Sequence, residues 1–310
     1  YLLLPNGFFH AGLMDVESQN KRLESLRTAL GGMLKDDGAS AFFIRGYGSS
    51  YRYDSDLPAS KYGYGGQFDY NAVDAGVLLW AIESMCGTAF MGITGTYGRL
   101  FLQPLDVKQS QKSAFDKWSV SAYGSMRHDT EFYVGGLVSY GTFKGDVSTL
   151  ARGKAATLDG RLLNASLTAG KVFEMGYGGF VFDPQVQVIY QYLTFKGVRD
   201  IDNVDVKMGN LDQWVARVGG RLVKVLPAVA TGHAISFYGK LNFAHAFGEK
   251  QFVHLGDAFQ LGAFGSSLEA GLGFNAQLVP KLVLHGDLSY QHKLTKAGFF
   301  GVTFSGGVRY

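Results

Sequence analysis

His285, Asp287 and Ser289 are the residues here that most resemble hydrolytic machinery, and they stand at alternate positions of one short stretch. Residues two apart on an extended chain are about 6.5–7 Å apart, whereas a nucleophile and its base must approach to about 3 Å. The trio therefore shares one face of a strand without forming a triad. Seven histidines are scattered with no ligand spacing, and the single cysteine, Cys86, excludes an internal disulfide and a Cys-based metal site. Neither a metal nor a cofactor is expected. A second set of residues has ion-pairing chemistry. Asp15 to Gly32 carries Glu17, Gln19, Asn20, Lys21, Arg22, Glu24 and Arg27 in close succession. Elsewhere, charges stand singly among small and apolar residues: Arg45, Asp74, Arg217, Arg221, Glu269 and Asp287.

The elements that position these groups are of two kinds. Asp15–Gly32 reads as a helix, with Asp15 as N-cap, acids in the first turn and Gly31-Gly32 as the C-terminal stop. Val16, Leu23, Leu26 and Leu30 share one narrow side of a 3.6-residue period. Such a helix is too polar to span lipid and too lightly apolar for an ordinary core, but it suits a polar tube. Its length, about 25 Å, matches the roughly 25 Å apolar band of an outer-membrane barrel. Residues 1–14 read as a linker or the end of an upstream domain, and 15–39 as the helix and its link to the barrel.

From Ser40 to Tyr310 the period becomes 2. Twelve alternating segments lie near 40–51, 66–83, 88–102, 116–127, 131–145, 160–173, 180–195, 210–225, 233–247, 259–278, 281–293 and 298–310. In the last, Phe300, Val302, Phe304, Gly306, Val308 and Tyr310 oppose Gly301, Thr303, Ser305, Gly307 and Arg309. Short links alternate with longer polar ones, and Trp, Tyr and Phe recur near segment ends, as in barrels with short periplasmic turns, long outer loops and aromatic girdles. Closure removes the two exposed edges of an open sheet. With an even strand count both barrel ends are periplasmic, so the helix runs down the lumen from outside. Twelve strands leave a bore of roughly 10–12 Å, one helix wide.

The totals agree. Of 310 residues, 46% are hydrophobic and 18% charged, with 43 Gly, 17 Tyr and 24 Phe, a composition of one all-β object. The longest clear apolar run, 77–82, is far short of a transmembrane helix. A net charge of +3 gives no reason to expect nucleic acid. No secretory signal stands at the start, so the chain reads as the C-terminal part of a longer precursor.

Four stretches carry a family resemblance. Asn20-Lys21-Arg22-Leu23-Glu24-Ser25-Leu26-Arg27, Ala41-Phe42-Phe43-Ile44-Arg45-Gly46-Tyr47-Gly48, Phe182-Asp183-Pro184-Gln185-Val186-Gln187 and the aromatic-alternating end at Tyr310 resemble, in this order, motifs of the translocator domain of monomeric autotransporters (type V secretion). The resemblance implies a twelve-stranded antiparallel transmembrane β-barrel in the Gram-negative outer membrane, a monomer with one helix in its lumen. It implies export of an N-terminal passenger to the cell surface, with the helix as plug afterwards. It also implies dealings with outer-membrane lipids, periplasmic chaperones and the barrel assembly machinery, the last reading Phe304, Val308 and Tyr310. Glu17 and Glu24 are then expected to meet lumen arginines, and Lys21, Arg22 and Arg27 to meet acids such as Glu269, Asp287 and Asp74. Some family members cut themselves when a helix Asn cyclises beside acidic wall residues. Asn20 is the only Asn in the helix as read, but Glu17 and Ser18 replace the Asn pair that marks such sites, so beyond this self-cleavage no enzyme activity is expected. A small-solute porin and an outer-membrane enzyme with a rim site remain as alternatives. The porin is disfavoured by the helix, and the enzyme by the lack of a compact catalytic constellation.

Overall fold

The protein is described from a computed structural model covering residues 1–33, 42–108, 110–176, 178–226, 234–248, 250–279 and 282–310, with helix side chains as far as residue 26. Twelve strands form the wall: β1 (Phe42–Asp54), β2 (Gly66–Ser84), β3 (Gly87–Pro104), β4 (Ser113–His128), β5 (Phe132–Thr149), β6 (Gly153–Lys171), β7 (Phe180–Phe195), β8 (Asn210–Leu226), β9 (Ala234–Phe247), β10 (Ser266–Val279), β11 (Leu282–Lys293) and β12 (Gly298–Arg309). Each pairs antiparallel with its chain neighbours, and β12 pairs with β1 from Phe43↔Arg309 to Asp54↔Gly298, which closes the barrel.

Alternation assigns the two faces. On β12, Val302 and Phe304 face outward while Thr303, Ser305 and Arg309 are buried inside. Trp118, Val120, Leu167, Leu272 and Leu288 are likewise exposed on the outer surface, the arrangement of a barrel whose solvent is lipid. The register shifts at three places among the described strands, between Leu78 and Trp80, Val147 and Ser148, and Gln277 and Val279; the first turns Leu78 inward and leaves both Leu79 and Trp80 outside. No helix among the described residues is long and apolar enough to cross a membrane.

Helix α1 spans Leu4–Met33, about 45 Å at 1.5 Å per residue. It lies within the barrel, its start at the long-loop end and its later turns towards the short-turn end. It begins eleven residues before the expected Asp15 and runs through Gly31-Gly32 to Met33. The reason is packing. Leu4, Phe8, Phe9, Ala11 and Met14 are buried with Phe68, Phe115, Phe143, Leu162, Leu193 and Phe299 in one apolar cluster filling the long-loop half of the lumen. Phe8 stacks on Phe143 at 3.6 Å and meets Phe115 edge-on at 5.2 Å. Residues 4–14 are therefore helix, although Pro5, Gly7 and Gly12 look like breakers. Pro is tolerated in a first turn. Gly12 permits close approach: a Cβ there would lie 2.5 Å from Gln191 Nε2, 2.8 Å from Leu162 Cδ2 and 2.9 Å from Asn164 Oδ1.

The expected segment 259–278 divides. Its first part joins a small four-stranded sheet (Val198–Arg199, Asp205–Lys207, Phe252–Leu255, Asp257–Gln260) built from two long connections, and the wall strand starts only at Ser266. Val206, Met208, Val253 and Leu261 of these connections are buried on the cluster that holds Leu3, Leu4 and Phe8. Asn6 donates to Gly262 O at 3.0 Å. The sheet thus covers the start of the helix.

Replacing Gly12 by Leu should overpack this contact and destabilise the protein by about 1–3 kcal/mol. The check is the temperature at which the folded, fast-migrating gel band converts to the unfolded one, which should fall.

Candidate functional site in the barrel lumen

Below the apolar cluster the lumen turns polar, and helix charges meet wall charges in four groups. Asp15 is the first. It is no N-cap but a mid-helix carboxylate, 1% exposed, and it accepts hydrogen bonds from Tyr47 and Tyr70, each at 2.7 Å, and from Lys117 at 2.5 Å. One turn down, Ser18 donates to Asp74 at 2.9 Å, and Arg45 donates to Ser18 O at 3.0 Å and to Asp287 at 2.6 Å. Lys21 also pairs with Asp287, and with Glu17 at 3.1 Å. Ser305 donates to Asp287 at 2.5 Å.

The other two groups lie on β7 to β10. Glu17 pairs with Lys240 at 2.7 Å and with Arg217 at 3.7 Å. Glu269 pairs with the same two cations, at 3.9 Å to Arg217 and in a close contact with Lys240. Glu24 meets Arg221 at 3.4 Å and accepts from Gln185 at 2.9 Å. Arg221 reaches Asp183 at 3.5 Å, and Asp183 accepts from Tyr133 at 2.7 Å. All of these side chains are at least largely buried. Burial makes each pair conditional: a lone charge at such depth costs several kcal/mol, so each helix charge fixes the rotation and depth of α1 against the wall.

Most expected residues thus come together, with several differences. Among the described residues Arg22 forms no ion pair with an acid. Its guanidinium is sandwiched between the rings of Phe43 (3.5 Å) and Tyr123 (3.7 Å) and donates to Thr94 at 2.7 Å. That stacking suits a delocalised cation. Asp74 serves Ser18 instead, and Glu269 faces wall cations rather than a helix cation. The side chains of Arg27 and Leu30 lie outside the described residues. His285, Asp287 and Ser289 sit on β11 as expected, and Asp287 is occupied by Lys21 and Arg45. Phe304, Val308 and Tyr310 are at the outward face and end of β12. Residues not foreseen as part of the site are Lys117, Lys240, Asp183, Tyr47, Tyr70 and Tyr133. Lys117 was legible: it continues the polar face of Ser119 and Ser121.

Asn20 lines a small cavity of about 20 Å³ with Gln185, Gln187, Arg217, Arg221, Lys240 and Asn242. The wall groups that line it are amides and cations rather than carboxylates; the acids beside it, Glu17 and Glu24, are on the helix and are already paired. No cluster of potential metal ligands occurs among the described residues.

Asp287→Ala would take from Arg45 its carboxylate partner and leave Lys21 with Glu17 alone, and should destabilise the protein by about 3–5 kcal/mol. The triple change Asp287→Leu, Lys21→Met, Arg45→Met should restore most of this. Urea unfolding in detergent, followed by tryptophan fluorescence, checks both.

Comparison with known proteins places this geometry. The family model described as the autotransporter beta-domain matches residues 42–289. The fold is similar to the transport unit of the autotransporter AIDA-I from Escherichia coli, with a TM-score of 0.71 at 16% identity, covering 98% of this chain and 97% of that one. It is similar to the beta domain of the Bordetella autotransporter BrkA, TM-score 0.67 at 17% identity, covering 88% and 99%. It is also similar to the translocator domain of NalP from Neisseria meningitidis, TM-score 0.60 at 15% identity, covering 96% and 97%. A comparison with curated protein sequences returned no match. A closed twelve-stranded barrel with a helix in its lumen, matched over residues 42–289, belongs to the autotransporter beta-domain family and is an outer-membrane translocator.

Proposed function

We propose that this translocator exports an N-terminal passenger to the cell surface and that α1 is the last part of the exported segment, retained as the plug. The observation that carries this reading is that the helix charges Asp15, Glu17, Lys21 and Glu24 are each met by wall charges, drawn from strands around the barrel: β4, β8, β9 and β11. A permanently open diffusion pore has no use for such a match. During export the same wall would face an extended segment, and the helix would form afterwards, satisfying its own backbone groups in place of water.

The reading has a defined topology. The short turns are periplasmic and the long connections are at the cell surface, where the four-stranded loop sheet covers the start of α1. Outer-membrane lipids surround the wall. Periplasmic chaperones deliver the chain, and the barrel assembly machinery receives it through the strand that ends in Phe304, Val308 and Tyr310. The protein works as a monomer. Asn20 serves to hydrate the cavity beside Arg217 and Arg221 and does not cleave, because the wall facing it supplies cations where a cyclising Asn needs carboxylates.

The test fuses a cysteine-free folded reporter between a signal peptide and residue 1. External protease should remove the reporter from intact cells, and before protease the reporter and the heat-modifiable barrel should be one chain of undivided mass. A reporter trapped in the periplasm beside a correctly inserted barrel would contradict export. A surface reporter on a separate chain, its new end at Asn20, would contradict the uncut helix.

A further inference from the structure

The outer surface of β2 to β5 carries a groove that the translocator function does not use. Its volume is about 700 Å³, and Val73, Ala75, Gly95, Tyr97, Trp118 and Tyr140 are among its lining residues. Two adjacent rows of register partners build it: Val73–Tyr97–Trp118–Thr142, and beside it Ala75–Gly95–Val120–Tyr140. The aromatic residues stand as walls, with Tyr97 and Trp118 in contact at 4.6 Å between ring centroids. The floor is low at Ala75 and Gly95. A Cβ on Gly95 would meet nothing within 4 Å, and Gly95 is not among the positive-φ glycines. Glycine inside a strand costs about 0.5–1 kcal/mol, and neither backbone conformation nor protein packing requires it here.

Directly on the long-loop side of the groove runs a row of charges: Arg99, Asp116, Lys144 and Asp159, again register partners. Arg161 extends the groove's own row beyond Thr142. Asp116 is held by Tyr97 at 2.9 Å and Arg99 at 3.4 Å, and Asp159 by Lys196 at 2.7 Å, so Lys144 and Arg161 present exposed cations. With a rise of about 3.4 Å per residue and a tilt near 40°, Lys144 stands about 30 Å from Phe132 at the short-turn end. This is the headgroup level of the outer leaflet, with the groove just beneath, at acyl depth. Across β2 to β5 the groove is about 14 Å wide, and Lys144 and Arg161 are diagonal neighbours on adjacent strands, about 7–8 Å apart.

We infer that this groove is a specific seat for one phosphorylated glycolipid of the outer leaflet, its acyl chains over Ala75 and Gly95 and its phosphates on Lys144 and Arg161. The width suits several chains side by side rather than one, and the separated cations suit more than one phosphate. A second apolar groove of about 560 Å³, over Gly220, Gly239, Leu241 and Leu272, lies nearer the short-turn end, and its one charged lining residue, Lys240, is turned into the lumen towards Glu17 and Glu269. It is the internal control.

The test is native mass spectrometry of the protein extracted in mild detergent and offered equal amounts of bis-phosphorylated lipid A and phosphatidylglycerol. The wild type should retain lipid A in preference, with one molecule bound. Lys144→Gln and Arg161→Gln should each lower that retention about fivefold, Gly95→Leu should abolish the preference, and Gly239→Leu should leave it unchanged. Heat-modifiable migration of each variant verifies that the barrel is folded. Equal retention of both lipids by the wild type would overturn the proposal, as would unaltered lipid A retention in folded Gly95→Leu and Lys144→Gln/Arg161→Gln. These readouts do not depend on passenger export.

Discussion

A carboxylate at the centre of a closed barrel has no water to spare and few ways to be satisfied, and the rest of this structure depends on how Asp15, Glu17, Glu24 and Asp287 meet that constraint. Each is answered by cations or hydroxyls on other elements: Lys117 and two tyrosines for Asp15, Lys240 and Arg217 for Glu17, Arg221 for Glu24, and Lys21 of the helix with Arg45 of the wall for Asp287. Buried pairs of this kind add little net stability against an apolar alternative, but breaking one is costly. Their consequence here is register. A slide of α1 by one turn would separate every pair at once, so the ionic half of the lumen admits one depth and one rotation of the helix.

The apolar half contributes differently. Around Phe8 and Phe9 the contacts are non-directional and numerous, and burial of such side chains is worth about 1.5–3 kcal/mol each. The loop sheet completes this cluster with Val206, Met208 and Val253, so the element that covers the mouth also holds the helix start. Between the halves, Gln191 donates to Phe9 O at 3.0 Å and to Asn164 at 2.8 Å and accepts from Gln213 at 2.6 Å. This amide belt closes on Gly12, where the helix comes nearest the wall. The Pro-Gln-x-Gln stretch acts one level lower: Gln185 reaches Glu24, while Gln187 donates to Ser166 on β6.

Much of this was legible in the sequence because inward and outward positions alternate along most of every strand. Just as Thr303, Ser305 and Arg309 oppose Val302 and Phe304, each strand's own alternation separates its inward set, and Arg45, Arg217, Arg221, Glu269 and Asp287 fall on the lumen side. The beginning of the helix was not legible. Pro5, Gly7 and Gly12 argue against a helix locally, and what overrides them is an apolar environment built from residues far along the chain, from Phe68 to Phe299. Asp15 looks like an N-cap for the same reason: its partners Tyr47, Tyr70 and Lys117 lie 32 to 102 positions along the chain. Arg22 reads as an ion-pair partner, but its stacking on Phe43 and Tyr123 depends on two strands meeting at one level. The loop sheet joins two connections about 50 residues apart through strands of two to four residues, too short to leave a periodic signal.

The central claim is that α1 is seated in the lumen and closes it. The most direct measurement is ion conductance across a planar lipid bilayer, comparing the intact chain with one lacking residues 1–33. The intact protein should insert with little or no steady current, and the shortened barrel should give discrete, long-lived openings of a polar pore. Equal conductance from the two proteins, whether both open or both closed, would contradict the account.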